Sequence, residues 1–303
     1  MNIRLDYFKF TVFDLPSHEG LAFYRYLFSE HLGELTPSGH GSAGYREMYY
    51  SASGATVSIR PTVDSKEYGR NYFTIELKGT ACKCLTPDVF RSVAELQAGG
   101  VKIRCNRVDW AFDDVPFTVS DVWGRLMLGD VKTWAKKSSF RMISAPHEIN
   151  EMGQEGTQTV YIGSLKKRDR IVRVYDLHGF TRLELEMRAE WANNTVWDII
   201  IKPFSEWGRG ACSVLLDYLT FPDWRPWEVW LTDVVPAGIK IYSARRVSLD
   251  RIQSWIKRQV APAIIAMCEA EGVDFDLKFW LSSCVTPERL KKYTAMMALG
   301  KLG

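Results

Sequence analysis

The 303-residue chain is 46% hydrophobic and 25% charged, the proportions of an ordinary globular protein with a substantial core. Its longest apolar runs, Val196–Ile201 and Val260–Met267, fall far short of the ~20 residues of a membrane span, which excludes a helical transmembrane protein. Thirty-nine Lys and Arg against 36 Asp and Glu leave +3, too slight an excess to mark a nucleic-acid partner unless the charge is locally concentrated.

The chain opens on MNIRLDYFKFTVFD, whose charges interrupt the apolar stretch a secretory signal needs, so the expected location is the cytoplasm. Within it YFKFTVF alternates as a strand does. Ser17 is placed to cap a helix from His18, with Leu21, Tyr24, Leu27 and Leu32 at helical spacing and Gly33 as its stop. Tyr45–Tyr50 and Thr56–Arg60 flank Ala52-Ser53-Gly54 as a hairpin, and YFTIEL at 72–77 is a further strand. Thr86-Pro87 opens a helix through Phe90, Val93 and Leu96 to Gly99-Gly100; Val101 to Phe112 is a long strand.

Ser120 is read as the cap of the next helix. Strands are expected at Phe140–Ile143, Thr159–Ile162, Ile171–Tyr175 and Leu183–Arg188, then a helix from Glu190 to Ile201. The Trp- and Pro-rich stretch Phe221 to Trp230 changes the composition, and helices are expected after Ser248 and Thr286. Hairpin-like spacing, rather than regular βα alternation, predicts an α+β fold: an antiparallel sheet flanked by helices, two RRM-like halves forming a pseudo-repeat, and a mostly helical C-terminal region. The expected domains are 1–205, which carries the chemistry, and 206–303.

Three strands concentrate charge. A period of two puts Arg107, Asp109, Ala111 and Asp113 on one face with Val108, Trp110 and Phe112 opposite; it likewise groups Arg182, Glu184, Glu186 and Arg188, and pairs Arg173 with Tyr175. The plain account is a solvated sheet face with cross-strand ion pairs. If the strands are neighbours, the carboxylates form a hard oxygen set suited to Mg²⁺ or Mn²⁺. Basic residues gather at Lys166, Lys167, Arg168 and Arg170, and again at Lys240, Arg245, Arg246, Arg251, Lys257 and Arg258; both segments suit phosphate contacts. No phosphate-binding G-x-x-x-x-G-K-[ST] loop or G-x-S-x-G elbow occurs. The six cysteines contain no C-x-x-C pair and the five histidines no paired spacing, so neither a zinc knuckle nor a disulfide framework is expected.

Taken together, Ile75-Glu76-Leu77-Lys78-Gly79 with Cys82, Asn106 to Asp114, Val160-Tyr161-Ile162-Gly163-Ser164, Arg173-Val174-Tyr175-Asp176 and Arg182 to Arg188 resemble the replication initiation factor family, rolling-circle initiators of plasmids and filamentous phages and related conjugative-element relaxases. Trp255 to Pro262 resembles its later W-x₅-V-x-P pattern. The resemblance implies nicking of one origin strand through a tyrosine with a divalent metal. It makes Tyr175 the nucleophile, with Tyr161 the alternative, Arg173 the phosphate-side stabiliser, Asp109 and Glu184 the metal ligands and Glu186 a secondary one. Origin DNA is the implied partner, with a homodimer and a host helicase as further expectations. Leu177 stands where the family usually has lysine. Two other functions fit the same residues: a metal-dependent nuclease that uses water, and a DNA-binding module without catalysis.

Overall fold

The computed structural model describes residues 2–42, 44–149, 155–165, 169–177, 179–238, 264–266, 268 and 269. Its frame is a ten-stranded antiparallel sheet in the order β2-β3-β4-β5-β1-β6-β11-β10-β9-β8. The strands are β1 (Asn2–Phe13), β2 (Thr36–Pro37), β3 (Tyr45–Tyr50), β4 (Ala55–Pro61), β5 (Tyr72–Leu77), β6 (Ile103–Asp113), β8 (Arg141–Ile149), β9 (Glu155–Ile162), β10 (Arg170–Leu177) and β11 (Phe180–Arg188). Two short strands, β7 (Lys132–Thr133) and β12 (Leu219–Thr220), pair separately. The α+β, antiparallel architecture is therefore the one the strand spacing predicts.

The helices are α1 (Glu19–Leu27), α2 (Ser29–Leu32), α3 (Gly79–Cys84), α4 (Pro87–Ala98), α5 (Val119–Leu128), α6 (Ala189–Ile200), α7 (Phe204–Tyr218) and α8 (Arg225–Trp230). On either side of the central β1–β6 pair the chain runs strand, helix, further strands, helix, a repeat of connectivity. In β6 the residues Val108, Trp110 and Phe112, and in β11 Leu183, Leu185 and Met187, are buried beneath α6, which packs on both strands. The alternation that separates apolar from charged residues in the sequence thus separates the two faces of the sheet.

In β1 the parity changes partway. Ile3 and Leu5 are buried, and so are Phe8, Phe10 and Val12; the register shift between Leu5 and Tyr7 keeps all five on the core face. A bulge of this kind re-aims the side chains beside it. Here it turns Asp6 and Tyr7 together toward the polar face, where both line a cleft.

Two helix starts differ from expectation. α1 has His18 at its N-cap without a side-chain bond, because the Ser17 hydroxyl accepts from the Arg60 backbone N–H at 2.9 Å instead and ties the helix to β4. α5 is capped by Thr118, not Ser120: Thr118 and Asp121 form a reciprocal capping box, which satisfies two backbone donors at once.

The compact unit extends over Met1–Ile239, past the expected boundary at residue 205. The reason is burial of large aromatics beyond that point. Trp207 of α7 meets Trp110 and Phe90 edge-on, and Phe221, Trp224, Trp227 and Trp230 cluster with Phe117. The Trp-rich stretch is therefore core, not linker. A second unit covers Lys240–Gly303; the helices expected after Ser248 and Thr286, and Trp255 with them, lie outside the described residues.

Candidate active site

β10, β11, β6 and β1 are consecutive in the sheet, so the three charged strands are neighbours. In register, Glu186 faces Asp109, Glu184 faces Ala111, Arg173 faces Glu184 and Tyr175 faces Arg182. Two carboxylates directly opposite one another repel. Arg107 compensates: its guanidinium reaches Asp109 through Nε at 2.9 Å and Glu186 Oε2 from Nη2 at 3.2 Å. The Arg107 guanidinium also lies 4.0 Å from the centre of the Tyr7 ring.

This face is not solvated. Asp109 and Glu184 are each 2% exposed and Glu186 4%, so the plain account of a wet polar surface fails for the residues at its centre. Pairing with guanidiniums offsets their burial, since an isolated buried charge is costly. Arg173 Nη2 is the hub: it lies 2.6 Å from Glu184 Oε2, 3.2 Å from Asp109 Oδ2 and 3.8 Å from Glu186 Oε2. Around it Arg182 pairs with Asp113 and Asp6, Arg4 with Asp113 at 3.1 Å, and Arg188 with Glu186 at 2.6 Å. Five carboxylates, Asp6, Asp109, Asp113, Glu184 and Glu186, are matched by five guanidiniums, Arg4, Arg107, Arg173, Arg182 and Arg188.

Burial opposes charge on both members of the Arg107–Asp109 pair. At Arg107 the attraction of Asp109 and Glu186 wins and raises its pKa; at Asp109, the deeper partner, burial wins and the carboxyl is pushed up to about 6. The Tyr175 phenol donates to Glu184 and lies 3.4 Å from Arg182 Nη1. Burial first, then the charge of Glu184, raises its pKa above the ordinary phenol value.

A cleft of about 380 Å³ opens over this network, lined among others by Asp109, Arg173, Tyr175 and Glu184. A phenol, the carboxylate to which it donates and the guanidiniums of Arg107 and Arg173 share one opening.

Among solved structures, the rolling-circle replication initiator protein from Geobacillus stearothermophilus matches over 78% of this chain and 97% of its own, with a TM-score of 0.59 and 20% sequence identity. In fold, this chain is similar to that initiator. No family model matches the chain, and no curated protein matches it.

Of the residues expected at the site, Tyr175, Arg173, Asp109 and Glu184 line the cleft, and Glu186 joins them through Arg173 and Arg107. Tyr161, opposite Arg173 in β9, also lines it. Arg170 is elsewhere: its parity turns it to the other side of the sheet, where it is 8% exposed. Lys166, Lys167, Arg168, Arg245 and Arg246 lie outside the described residues. Sequence reasoning passed over Asp6 and Tyr7, since simple alternation hides both; Asp6-Tyr7, two polar residues in succession between Leu5 and Phe8, was the available sign of a bulge.

Among the described residues, no group of three or more His, Cys, Asp and Glu is arranged to hold a metal ion. Asp109, Glu184 and Glu186 do bring one oxygen each to a common point, where Arg173 Nη2 stands. Their donor chemistry suits a hard divalent ion; the guanidinium has to turn away before an ion takes that point.

Proposed function

We propose that this chain initiates rolling-circle DNA replication by nicking one strand of origin DNA and rejoining it, with Tyr175 as nucleophile. The observation that carries the reading is the Tyr175 phenol donating to buried Glu184 beside Arg173 in an open cleft. The fold likeness to a rolling-circle initiator and the motif resemblance across 72–200 support the same reading.

Glu184 is placed to take the phenolic proton as the Tyr175 oxygen attacks phosphorus. The bond from phosphorus to the 3′ oxygen breaks and that oxygen takes a proton from solvent, leaving a free 3′-OH and a 5′-phosphotyrosine, so the phosphodiester energy is kept and resealing requires no nucleotide cofactor. Arg173 and Arg182 neutralise charge on the phosphoryl oxygens. Burial and Glu184 hold the phenol protonated at rest, so attack and proton transfer have to coincide. Asp109 and Glu184, with Glu186 second, would hold Mg²⁺ or Mn²⁺, which when bound supplies further neutralisation of the phosphoryl group and leaving oxygen. Arg173 then serves the phosphate instead of the carboxylates. Origin DNA is the partner, acting in the cytoplasm; a homodimer and a host helicase extend the same proposal.

The test is incubation with a supercoiled or single-stranded origin fragment and Mg²⁺, followed by denaturing electrophoresis. A covalent protein–DNA species that disappears in Tyr175→Phe is expected. Its persistence in that variant would move the role to Tyr161, and cleavage without any adduct would show water as the nucleophile. The even match of acids and arginines favours one rival, a DNA-binding module without catalysis; binding that ignores chelator, with no cleavage, would establish it.

A further inference from the structure

A second cavity, of about 530 Å³, lies at the opposite end of β10 from Tyr175. It is lined by Trp134 and Lys136 ahead of β8, Gly163 just after β9, Arg170 at the start of β10, Trp191 of α6 and Tyr218 of α7. Arg170 shares parity with buried Val172 and Val174, so its side chain leaves the sheet on the side away from Arg173 and Tyr175, whereas Arg141 is in register with the cleft residue Tyr161; the cavity sits at the strand ends, between the two faces. None of the residues that line the cleft lines it.

Three features define what it can hold. First, it is basic: Lys136, Arg141 and Arg170 line it against Asp169. Second, it is aromatic. The Arg170 guanidinium lies 3.3 Å from the centre of the Trp191 ring and 4.5 Å from that of Tyr218. Trp134 is 77% exposed, yet its indole N–H donates to the Asp217 carbonyl at 2.9 Å, which fixes the ring at the mouth with a bare face. Third, a buried cation backs it. The Arg170 side chain is 6% exposed and its Nη1, 3.6 Å from Asp217 Oδ2, is sealed from solvent and has no hydrogen-bond partner among the described residues. Burial lowers the Arg170 pKa to about 10, so it stays charged at neutral pH. A fixed bare indole favours a flat ring, and the cations favour an anion; a nucleotide carries both.

We propose that this cavity holds one nucleotide of single-stranded DNA, its base stacked on Trp134 and its phosphate between Lys136 and Arg141, with the buried charge of Arg170 behind it. The inference rests on the nicking reading for its choice of a DNA strand and extends it: Arg170 and Tyr175 sit five residues apart on one strand, about 17 Å at the usual rise, so a nucleotide gripped here sets the register of the strand reaching the cleft.

The test uses the full chain and a twelve-nucleotide oligo(dT) carrying 5-iodouracil, cross-linked by ultraviolet light and mapped by peptide, with affinity read from anisotropy over a salt series. The cross-link is expected on Trp134 or its immediate neighbours. Trp134→Ala should weaken binding at least about fivefold, the lower end for one stacked base, and Trp134→Phe should restore most of it. Lys136→Gln combined with Arg141→Gln should reduce the salt dependence by roughly one to two phosphate contacts. A cross-link mapping elsewhere, or unchanged affinity in these variants, overturns the proposal. Saturation of Trp fluorescence quenching by thymidine monophosphate, at concentrations where the oligonucleotide does not compete, would assign the cavity to a free nucleotide and overturn it equally. A cavity cross-link in a protein that forms no covalent adduct would sink the nicking reading alone; an adduct with no cavity cross-link would sink this one alone.

Discussion

Tyr175 donates to a carboxylate that is itself 2% exposed, so two forces hold its proton: burial, and the negative charge of Glu184. Removing the charge leaves only burial. Glu184→Gln should therefore lower the Tyr175 pKa toward the ordinary phenol value without reaching it, observable in an NMR titration of protein labelled at the tyrosine ring carbon bearing the hydroxyl. A pKa that stays put or rises would mean the two side chains are not coupled. Asp109 offers the matching test by pH. An unfolded Asp titrates near about 3.9, whereas the buried carboxyl is pushed up to about 6, so between those values the folded chain keeps a proton the unfolded chain has released. Its contribution to stability is present below that window and falls as pH rises through it. Asp109→Asn does not titrate. Relative to the native protein it should gain urea resistance between pH 4.5 and pH 7.5; an unchanged gap in urea midpoints would mean Asp109 ionises normally in the fold.

The elements depend on a few backbone positions. Gly163, at the end of β9, has φ 130°, and a Cβ there would stand 2.7 Å from both the Arg170 carbonyl oxygen and the Tyr218 hydroxyl. That hydroxyl donates to the Ile162 and Arg170 carbonyls and closes the top of the β9–β10 pair onto α7. Gly163→Ala is expected to cost about 2 kcal/mol, or roughly 4–8 °C in Tm for a unit of this size. Gly124 is the opposite case, a glycine inside α5 with nothing within 4 Å of its Cβ position. Gly124→Ala should raise Tm by about 2–4 °C through helix propensity alone. Thermal scans of both variants check the pair, and a neutral Gly163→Ala would show that the turn opens freely.

At the scale of the molecule, the decisive packing is that of α7 and α8 on the sheet. Trp207, Cys212, Leu215 and Trp227 are buried in the same core as Trp110 and Phe112. A fragment of residues 1–239 should unfold in one cooperative thermal transition, whereas 1–205 strips the cover from Trp110 and Phe90 and should aggregate or show no transition. A cooperative transition in the shorter fragment would restore the boundary expected from composition. The same packing makes the two cavities separate: β10 presents Arg173 and Tyr175 to one and Arg170 to the other, because neighbouring parities of one strand face opposite sides.

The alternation in Arg107 to Asp113 and in Arg182 to Arg188 was enough to predict an antiparallel α+β fold and to sort charged from apolar residues, since period two is a local property of a strand. It also placed Tyr175 with Arg173. It could not supply strand order, and so not the pairing of Glu186 opposite Asp109 that makes Arg107 necessary. The bulge that delivers Tyr7, the depth of Glu184 and the Trp134–Trp191–Arg170 cavity were decided in the tertiary structure alone. Each depends on which segments meet across long sequence separations, and burial of a charge is fixed by what covers it rather than by the residue itself.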